Sequence, residues 1–322
     1  MSVPTPLVLG TRKSELALRQ ANNVRNRLEA EGHRVKIRTV TTRGDESTEV
    51  PISQIGDEAV FTRALDRALL AGDVHFAVHS LKDIPSVVPE GVTLAAIGPR
   101  ATPFDAFVAH PSFDGSLDDL PTKATVATAS LRRKAQLCTW RPDLNVVPVR
   151  GNVGTRLQKL MDSDWDGMVL AVAGLVRLGF SSWIRDHIDP EIMVPAVGQG
   201  ALGIACEADR PDLAERLHEV LHQPAVGAAT RAERAFLRTV GGGCQVPLGA
   251  WARLQDEGRL VIDACIASLN GTERHRDRRT CAPDEGPDVA MELAEDLLDE
   301  GGAAILDRIL GDRAERASPF QP

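Results

Sequence analysis

Strand and helix signals alternate along most of this 322-residue chain. Residues 35–40 alternate between apolar and polar side chains, a pattern that predicts a strand. The helix predicted before it is capped by Ser14 and ends before Gly32. Further strands are predicted at 74–78 and 125–127, each followed by a segment with helical character. This alternation predicts an α/β protein with largely parallel sheets.

Basic residues lie where the predicted strands give way to helices. They are Arg12, Arg43, Lys82, Arg132, Arg133, Arg150, Arg156 and Arg177. Open α/β sheets bind ligands at the carboxyl ends of their strands, and arginine pairs with carboxylate or phosphate through two hydrogen bonds. A solvated surface explains any one of these arginines. Their repeated placement in an acidic chain predicts a cleft that binds a polyanion.

The charge balance limits the partners of the chain. Its 37 Lys and Arg residues and 45 Asp and Glu residues give a net charge of −8. Such a protein is not expected to bind nucleic acid or an anionic membrane as its main partner. No apolar run approaches the roughly 20 residues that span a bilayer. Residues 1–10 lack the basic and apolar regions of a secretion signal, so we expect a cytoplasmic protein.

Cysteine usage singles out one loop. The five cysteines are odd in number, widely spaced and free of any CxxC pair, so neither a disulfide framework nor a zinc site is predicted. Cys244 follows three glycines, in a loop after a helix predicted at 230–240. Glycine adopts backbone angles that few residues share and leaves its neighbours uncovered. The loop therefore either presents the thiol to a ligand or is a tight turn with an incidental buried cysteine.

Asp83 follows the predicted strand at 74–78 and stands next to Lys82. A turn or cap residue explains this position as well as a functional carboxylate does. An acid that faces the same cleft as the arginines would stabilise a cation formed during a reaction. His79, at the end of the same strand, is interpreted as a structural histidine.

Two further motifs have plain structural interpretations. Residues 198–203 match the GxGxxG fingerprint, which binds dinucleotides only between a strand and a helix. Because 201–206 has the pattern of a strand, we interpret the glycines as a close backbone passage between domains. A nucleotide-dependent dehydrogenase is an alternative that rests on this motif alone. The arginine-rich segment 274–279 follows an Asn270-Gly271 hairpin signal and is predicted to be a solvated edge strand.

Eight ordered stretches of the sequence resemble the porphobilinogen deaminase family, also called hydroxymethylbilane synthases. They are residues 11–14, 42–45, 79–85, 130–133, 150–157, 171–179, 195–203 and 233–249. The resemblance extends over nearly the whole chain and ends in the glycine-cysteine loop. It is therefore more specific than any single motif.

The resemblance implies a transferase that condenses four porphobilinogen molecules head to tail, releasing ammonia, on a covalently bound dipyrromethane primer. Hydrolysis then frees the linear tetrapyrrole hydroxymethylbilane. It implies that Cys244 carries the primer through a thioether and that Asp83 is catalytic. The implied primer-binding residues are Lys82, Ser130, Arg132, Arg133 and Arg150. The implied substrate-binding residues are Arg12, Ser14, Arg156, Arg177 and Gln199. No metal is implied, and we expect a monomer.

The residue chemistry agrees with this activity. Each porphobilinogen carries an acetate and a propionate, so a growing chain of pyrroles needs many cationic partners. Loss of ammonia leaves an azafulvene-type cation, which Asp83 would stabilise. A sulfur nucleophile at Cys244 would trap the same electrophile. The rival interpretation, a non-catalytic anion-binding protein with the same cleft, explains neither Asp83 nor the glycines before Cys244.

The resemblance also implies the architecture. Two α/β domains would be similar to periplasmic binding proteins, with mostly parallel sheets and flanking helices. The first would comprise residues 1–99 with 201–218, and the second residues 105–194. A smaller α+β domain at 223–322 would carry the cofactor cysteine.

Two positions depart from the family's pattern. Ala129 takes the place of a hydroxyl residue, so only Ser130 is assigned a contact there. Glu58 stands where some relatives have a lysine, so no ligand contact is assigned to the loop at 46–60.

Overall fold

The computed structural model describes residues 6–42, 62–241, 243 and 246–317. Arg43, the loop at 46–60 with Glu58, and Cys244 lie outside the described residues, so the predictions made for them stay predictions. No described helix is both long enough and apolar enough to cross a membrane.

The described residues form thirteen strands and nine α-helices. The strands are β1 (Leu7–Arg12), β2 (Val35–Val40), β3 (Phe76–Ser80), β4 (Val92–Ile97), β5 (Asp105–Ala109), β6 (Thr125–Ala127), β7 (Asn145–Val147), β8 (Gly167–Ala171), β9 (Asp186–His187), β10 (Leu202–Glu207), β11 (Leu248–Leu254), β12 (Leu260–Ala267) and β13 (Arg274–Cys281). The helices are α1 (Glu15–Ala30), α2 (Arg63–Leu70), α3 (Leu131–Trp140), α4 (Val153–Met161), α5 (Val172–Leu178), α6 (Pro211–Leu221), α7 (Pro224–Val240), α8 (Gly286–Leu297) and α9 (Ala303–Ala317).

The first sheet has five strands in the order β2-β1-β3-β10-β4. Strand β1 is parallel to β2 and β3, whereas β10 is antiparallel to β3 and β4. Successive residues of β1 point to opposite faces, so Leu9 packs with α1 and α6 while Val8 packs with α2. As predicted, Ser14 caps α1, its Oγ accepting a hydrogen bond from the Ala17 N–H at 3.3 Å.

The second sheet has the order β7-β6-β8-β5-β9. Strand β6 is parallel to β7 and β8, whereas β5 is antiparallel to β8 and β9. Helices α4 and α5 share a core with the sheet, and α3 contributes Leu137 to a second core. The predicted α/β class is confirmed, but both large sheets are mixed. The chain crosses between the sheets at 98–104 and again at 188–201. The strand that follows each crossing, β5 or β10, is antiparallel to its neighbours in the sheet.

The C-terminal domain is an antiparallel sheet β11-β12-β13 covered by α7, α8 and α9. Strand β12 is buried along its whole length, because its second face packs against α3 and Val194 of the crossing segment. Strand β13 is the predicted edge strand. It is not merely solvated, since Arg278 Nε donates to Asp263 Oδ1 of β12 at 2.7 Å.

Candidate active site

The parallel strands of both large sheets end at residues that the sequence analysis selected. Strand β1 ends at Arg12, and β3 leads directly into a 3-10 turn, Leu81–Asp83. In the second sheet, β6 is followed by Ser130, which caps α3 by accepting a hydrogen bond from the Arg133 N–H at 3.4 Å. Parallel strands bring their carboxyl ends to one edge of a sheet. Each sheet therefore has one edge at which these residues collect.

Asp105, the first residue of β5, is completely buried at the centre of a charge network. Its carboxylate accepts hydrogen bonds from Arg132 Nη1 at 2.8 Å, Arg133 Nε at 2.9 Å and Gln199 Nε2 at 3.0 Å. Burial alone would raise the pKa of Asp105, but the two guanidinium groups hold it below its usual range. The sequence analysis missed this residue. The available signal was a carboxylate at the start of an apolar strand, which needs a cationic partner when buried.

Arg132 and Arg133 also bind main-chain carbonyls. Arg132 Nη1 donates to Val194 O at 2.8 Å, and Arg133 Nη1 donates to Val169 O at 3.0 Å. Both side chains are buried. They therefore hold α3, the second sheet and the crossing segment together, and their predicted contacts to a cofactor stay predictions.

Lys82 brings the first sheet to this network. Its Nζ donates to Gln199 Oε1 at 3.2 Å, and Gln199 Nε2 donates in turn to Pro103 O at 2.6 Å. The pKa of Lys82 is lowered to about 8, chiefly by burial and then by Arg133, while Asp83 and Asp105 act in the opposite direction. The ammonium group thus feels charges on both sheets, so the carboxyl edges of the two sheets face each other here.

Arg156 of α4 lies in a strongly cationic environment. Its Nε donates to Gly151 O at 2.8 Å. Burial lowers the pKa of Arg156 to about 10, with repulsion from Arg133 and Arg150 adding to the effect. Burial also lowers the pKa of Arg150 and that of Arg177. An anionic ligand would relieve this repulsion, so the donor set fits a group with several carboxylates, as a dipyrromethane cofactor has.

Two further arginines, Arg177 and Arg12, lie close to the crossing segment and to His79, respectively. Arg177 Nη2 donates to Gly200 O at 2.6 Å, which ties α5 to the crossing segment. Arg12 lies near enough to His79 to affect its charge. Burial lowers the pKa of His79 to about 4, and Arg12 lowers it as well, so this histidine is neutral at neutral pH. A neutral buried histidine agrees with the structural role interpreted from the sequence.

The glycine motif is a backbone crossing, as interpreted. Gly200 has φ +87°, and a Cβ at this position would lie 2.3 Å from Ala101 O. Only glycine allows the two crossing segments to approach this closely. The segment continues into β10 rather than a helix, so the structural context of a dinucleotide site is not present here.

Glu233 fixes helix α7 to the crossing segments. This buried carboxylate accepts hydrogen bonds from Arg100 Nη1 at 2.6 Å, the Gly198 N–H at 2.7 Å and the Ala252 N–H at 2.8 Å. Helix α7 begins at Pro224, earlier than the sequence pattern indicated, and ends at Val240 just before the glycine-cysteine loop. Helix α7, which ends at this loop, is therefore held against the segments that cross between the two sheets. The sequence analysis missed Glu233.

The next residue of α7 contacts the segment that follows Asp83. Arg234 donates to the main-chain oxygens of Ile84 at 3.2 Å, Pro85 at 2.7 Å and Ser86 at 3.2 Å. Asp83 itself is half-buried in its 3-10 turn. The turn position considered from the sequence is thus correct, and a catalytic role for the carboxylate stays a prediction.

The four described cysteines are buried free thiols: Cys138, Cys206, Cys265 and Cys281. Burial raises the pKa of each, to about 11 for Cys265. Inert structural thiols have these properties, so none of the four resembles a nucleophile.

These features define a class of protein in which two α/β sheets present a basic cluster at their facing edges and a small third domain packs against the segments that cross between them. Residues 7–215 match the family model "Porphobilinogen deaminase, dipyromethane cofactor binding domain", and residues 228–299 match "Porphobilinogen deaminase, C-terminal domain". The chain belongs to the porphobilinogen deaminase family. It is a transferase of tetrapyrrole synthesis that uses a dipyrromethane cofactor, as the sequence resemblance predicted.

Curated relatives agree over almost the entire chain. The porphobilinogen deaminase of Syntrophomonas wolfei is 45% identical over 302 residues, covering 93% of this chain and 97% of the relative. That of Desulforudis audaxviator is 45% identical over 305 residues, covering 94% and 97%. Among solved structures, a periplasmic substrate-binding protein of an ABC transporter from Coxiella burnetii aligns with a TM-score of 0.44 and 14% identity, covering 69% of this chain and 94% of that one.

Proposed function

We propose that this chain extends a dipyrromethane primer attached to Cys244 with porphobilinogen, and that Asp83 is the charged catalytic group. One observation supports this assignment of the site above all. Lys82 of the first sheet is linked through Gln199 to Asp105, which Arg132 and Arg133 also bind, at the facing edges of the two sheets. When bound, the cofactor supplies the pyrrole end to which substrate is added. The protein supplies the positions and charges described below.

Carboxylate binding is assigned to the basic cluster. Lys82, Ser130, Arg132, Arg133 and Arg150 would hold the primer. Arg12, Ser14, Arg156, Arg177 and Gln199 would hold the incoming substrate. The support is that burial and mutual repulsion lower the pKa of Arg156 and of Lys82, because such sites bind anions with little loss of hydration.

Asp83 is assigned to the pyrrole nitrogen and to the positive charge that develops when ammonia leaves. A half-buried carboxylate held by a short turn is preorganised to face a developing positive charge. Arg234 supports that geometry, since it binds three consecutive carbonyls directly after the turn. Asp105 is not available for this task, because Arg132, Arg133 and Gln199 occupy its oxygens.

The arginine cleft is tested by Arg156→Gln. A charged hydrogen bond contributes roughly 1.5–3 kcal/mol, so turnover should fall about tenfold or more and intermediates with one to three added units should accumulate. Mass spectrometry of the stalled enzyme detects these species. Lys159→Gln is the matched control, since Lys159 is exposed on the same helix. If the two variants accumulated the same amounts of these intermediates, the assignment of Arg156 would be contradicted.

Lys82 should make ligand binding depend on pH. Its pKa of about 8 in the free protein means that the ammonium form, which attracts carboxylates, is lost as the pH rises through that value. Affinity of the apo protein for a preassembled linear tetrapyrrole should therefore weaken as the pH rises through about 8. Fluorescence titration measures this affinity without turnover. This weakening of affinity with pH should be absent in Lys82→Met. The same pH dependence of affinity in that variant would exclude Lys82 as its source.

The proposal includes a cytoplasmic monomer with three domains, at 1–99 with 201–218, 105–194 and 223–322. Each of these ranges contains the strands of one sheet, which supports the division. The four free thiols among the described residues agree with a reducing compartment. Cell fractionation, together with sedimentation of the purified protein, checks location and oligomeric state.

A further inference from the structure

A cavity of about 300 Å³ lies between edge strand β4 and helices α6 and α7. Its apolar floor is formed by residues 94–97. All the titratable residues that line it are basic: His218, His222, Arg231, Arg234 and Arg238. Apart from Arg234, which binds the main chain after Asp83, none of them has a role in the proposed catalytic site. The basic residues come from two elements, because the histidines belong to α6 and its C-cap while the arginines belong to α7.

The two histidines stack, with ring centroids 4.1 Å apart and planes 16° from parallel. Their main-chain contacts define the tautomers. The Ile97 N–H donates to His222 Nδ1 at 3.2 Å, so neutral His222 carries its proton on Nε2. His218 Nδ1 lies 3.1 Å from Ala95 O, which only accepts, so His218 carries its proton on Nδ1. His222 Nε2 is therefore an N–H donor.

That donor lies next to Arg231. A Cβ built on Gly227 would lie 2.6 Å from His222 Nε2 and 3.4 Å from Arg231 Nη1. The imidazole therefore occupies the space that a side chain at Gly227 would take, and its Nε2 lies no more than about 6 Å from Arg231 Nη1. Two donors from different elements, one of them charged, can bind a single anionic group there.

No described acidic residue lines the cavity. In the described part of the chain, neither Arg231 nor Arg238 forms an ion pair, and both are exposed. Arg234 is buried and directs its donors to main-chain carbonyls. Burial lowers the pKa of His222, and His218 and Arg231 lower it further. A cavity with this arrangement repels cations and favours anions.

We propose that the cavity binds a small anion with two charged groups, such as a diphosphate or a short dicarboxylate. One charged group would contact His222 and Arg231, and the other would contact Arg238, which lies about two turns further along α7. The small volume limits the ligand to a compact molecule. Binding would connect the first sheet to the C-terminal domain, because its contacts come from α6 and α7.

Calorimetric titration of the cofactor-loaded protein tests this site, with pyrophosphate and succinate as separate probes at constant ionic strength. At least one probe should bind saturably, and the preferred probe distinguishes phosphate from carboxylate chemistry. Arg231→Gln and Arg238→Gln should each weaken that binding about tenfold or more, the effect of losing one charged hydrogen bond. Both residues are exposed, so neither change should alter the fold; thermal unfolding verifies this.

The matched control is Arg216→Gln, an exposed arginine of α6 that does not line the cavity. It should bind the probe as the parent protein does. Two results would overturn the proposal: no saturable binding of either probe, or binding that both cavity variants leave unchanged. The second result would assign the bound anion to the catalytic cleft instead.

Discussion

Cys244→Ala is expected to abolish turnover and to remove a covalent mass of two linked pyrrole units from the purified protein. The proposed reaction needs a primer fixed to sulfur, and no extension can begin without it. The four described cysteines are poor alternatives, because burial shields each thiol and raises its pKa. Intact-protein mass spectrometry measures the adduct directly. Ehrlich's reagent gives an independent colour test for the bound dipyrromethane.

The other cysteines supply the controls for this prediction. Alanine at Cys138, Cys206, Cys265 or Cys281 should leave the adduct in place, with at most a loss of stability from the small cavity created. An active preparation with the bare chain mass would reject covalent priming. An adduct that persists in Cys244→Ala would show that the primer is attached to another residue.

Asp83→Asn is expected to slow ammonia release about a thousandfold while the protein remains folded. A carboxylate about 4 Å from a developing cation, at an effective dielectric near 20, contributes roughly 4 kcal/mol. That free energy corresponds to about a thousandfold in rate. Asparagine keeps the shape and a hydrogen-bond acceptor but removes the charge. Asp83→Ala should behave similarly, and Asp83→Glu should retain more activity because the charge survives with altered reach.

The measurement must separate catalysis from assembly of the primer. Each apo variant is therefore first supplied with preassembled tetrapyrrole to form the primer. Porphobilinogen is then added, and its ammonia release is followed in a single turnover. Glu90→Gln is the matched control, since Glu90 is an exposed acid in the segment after the same turn. Near-normal release from Asp83→Asn would show that the site requires hydrogen-bond geometry rather than negative charge.

The local features of this protein were readable from its sequence. The alternation of strand and helix patterns predicted the α/β class, and Ser14 was recognised as the cap of α1. The pattern at 201–206 predicted β10, and the context of Gly200 indicated a backbone crossing. These features depend on residues that are close together in the chain, where periodicity, capping and glycine angles act directly.

The partners of the buried charges were decided only by the tertiary structure. Asp105 and Gln199 are 94 positions apart, and Arg100 and Glu233 are 133 positions apart. No local pattern records such pairs, because any of the many arginines could have matched either carboxylate. The same holds for the lowered pKa of Lys82, which depends on how far the folded chain removes it from water and on charges from the other sheet. Sequence determines which charged groups are available, whereas folding determines which of them meet and how much water remains around them.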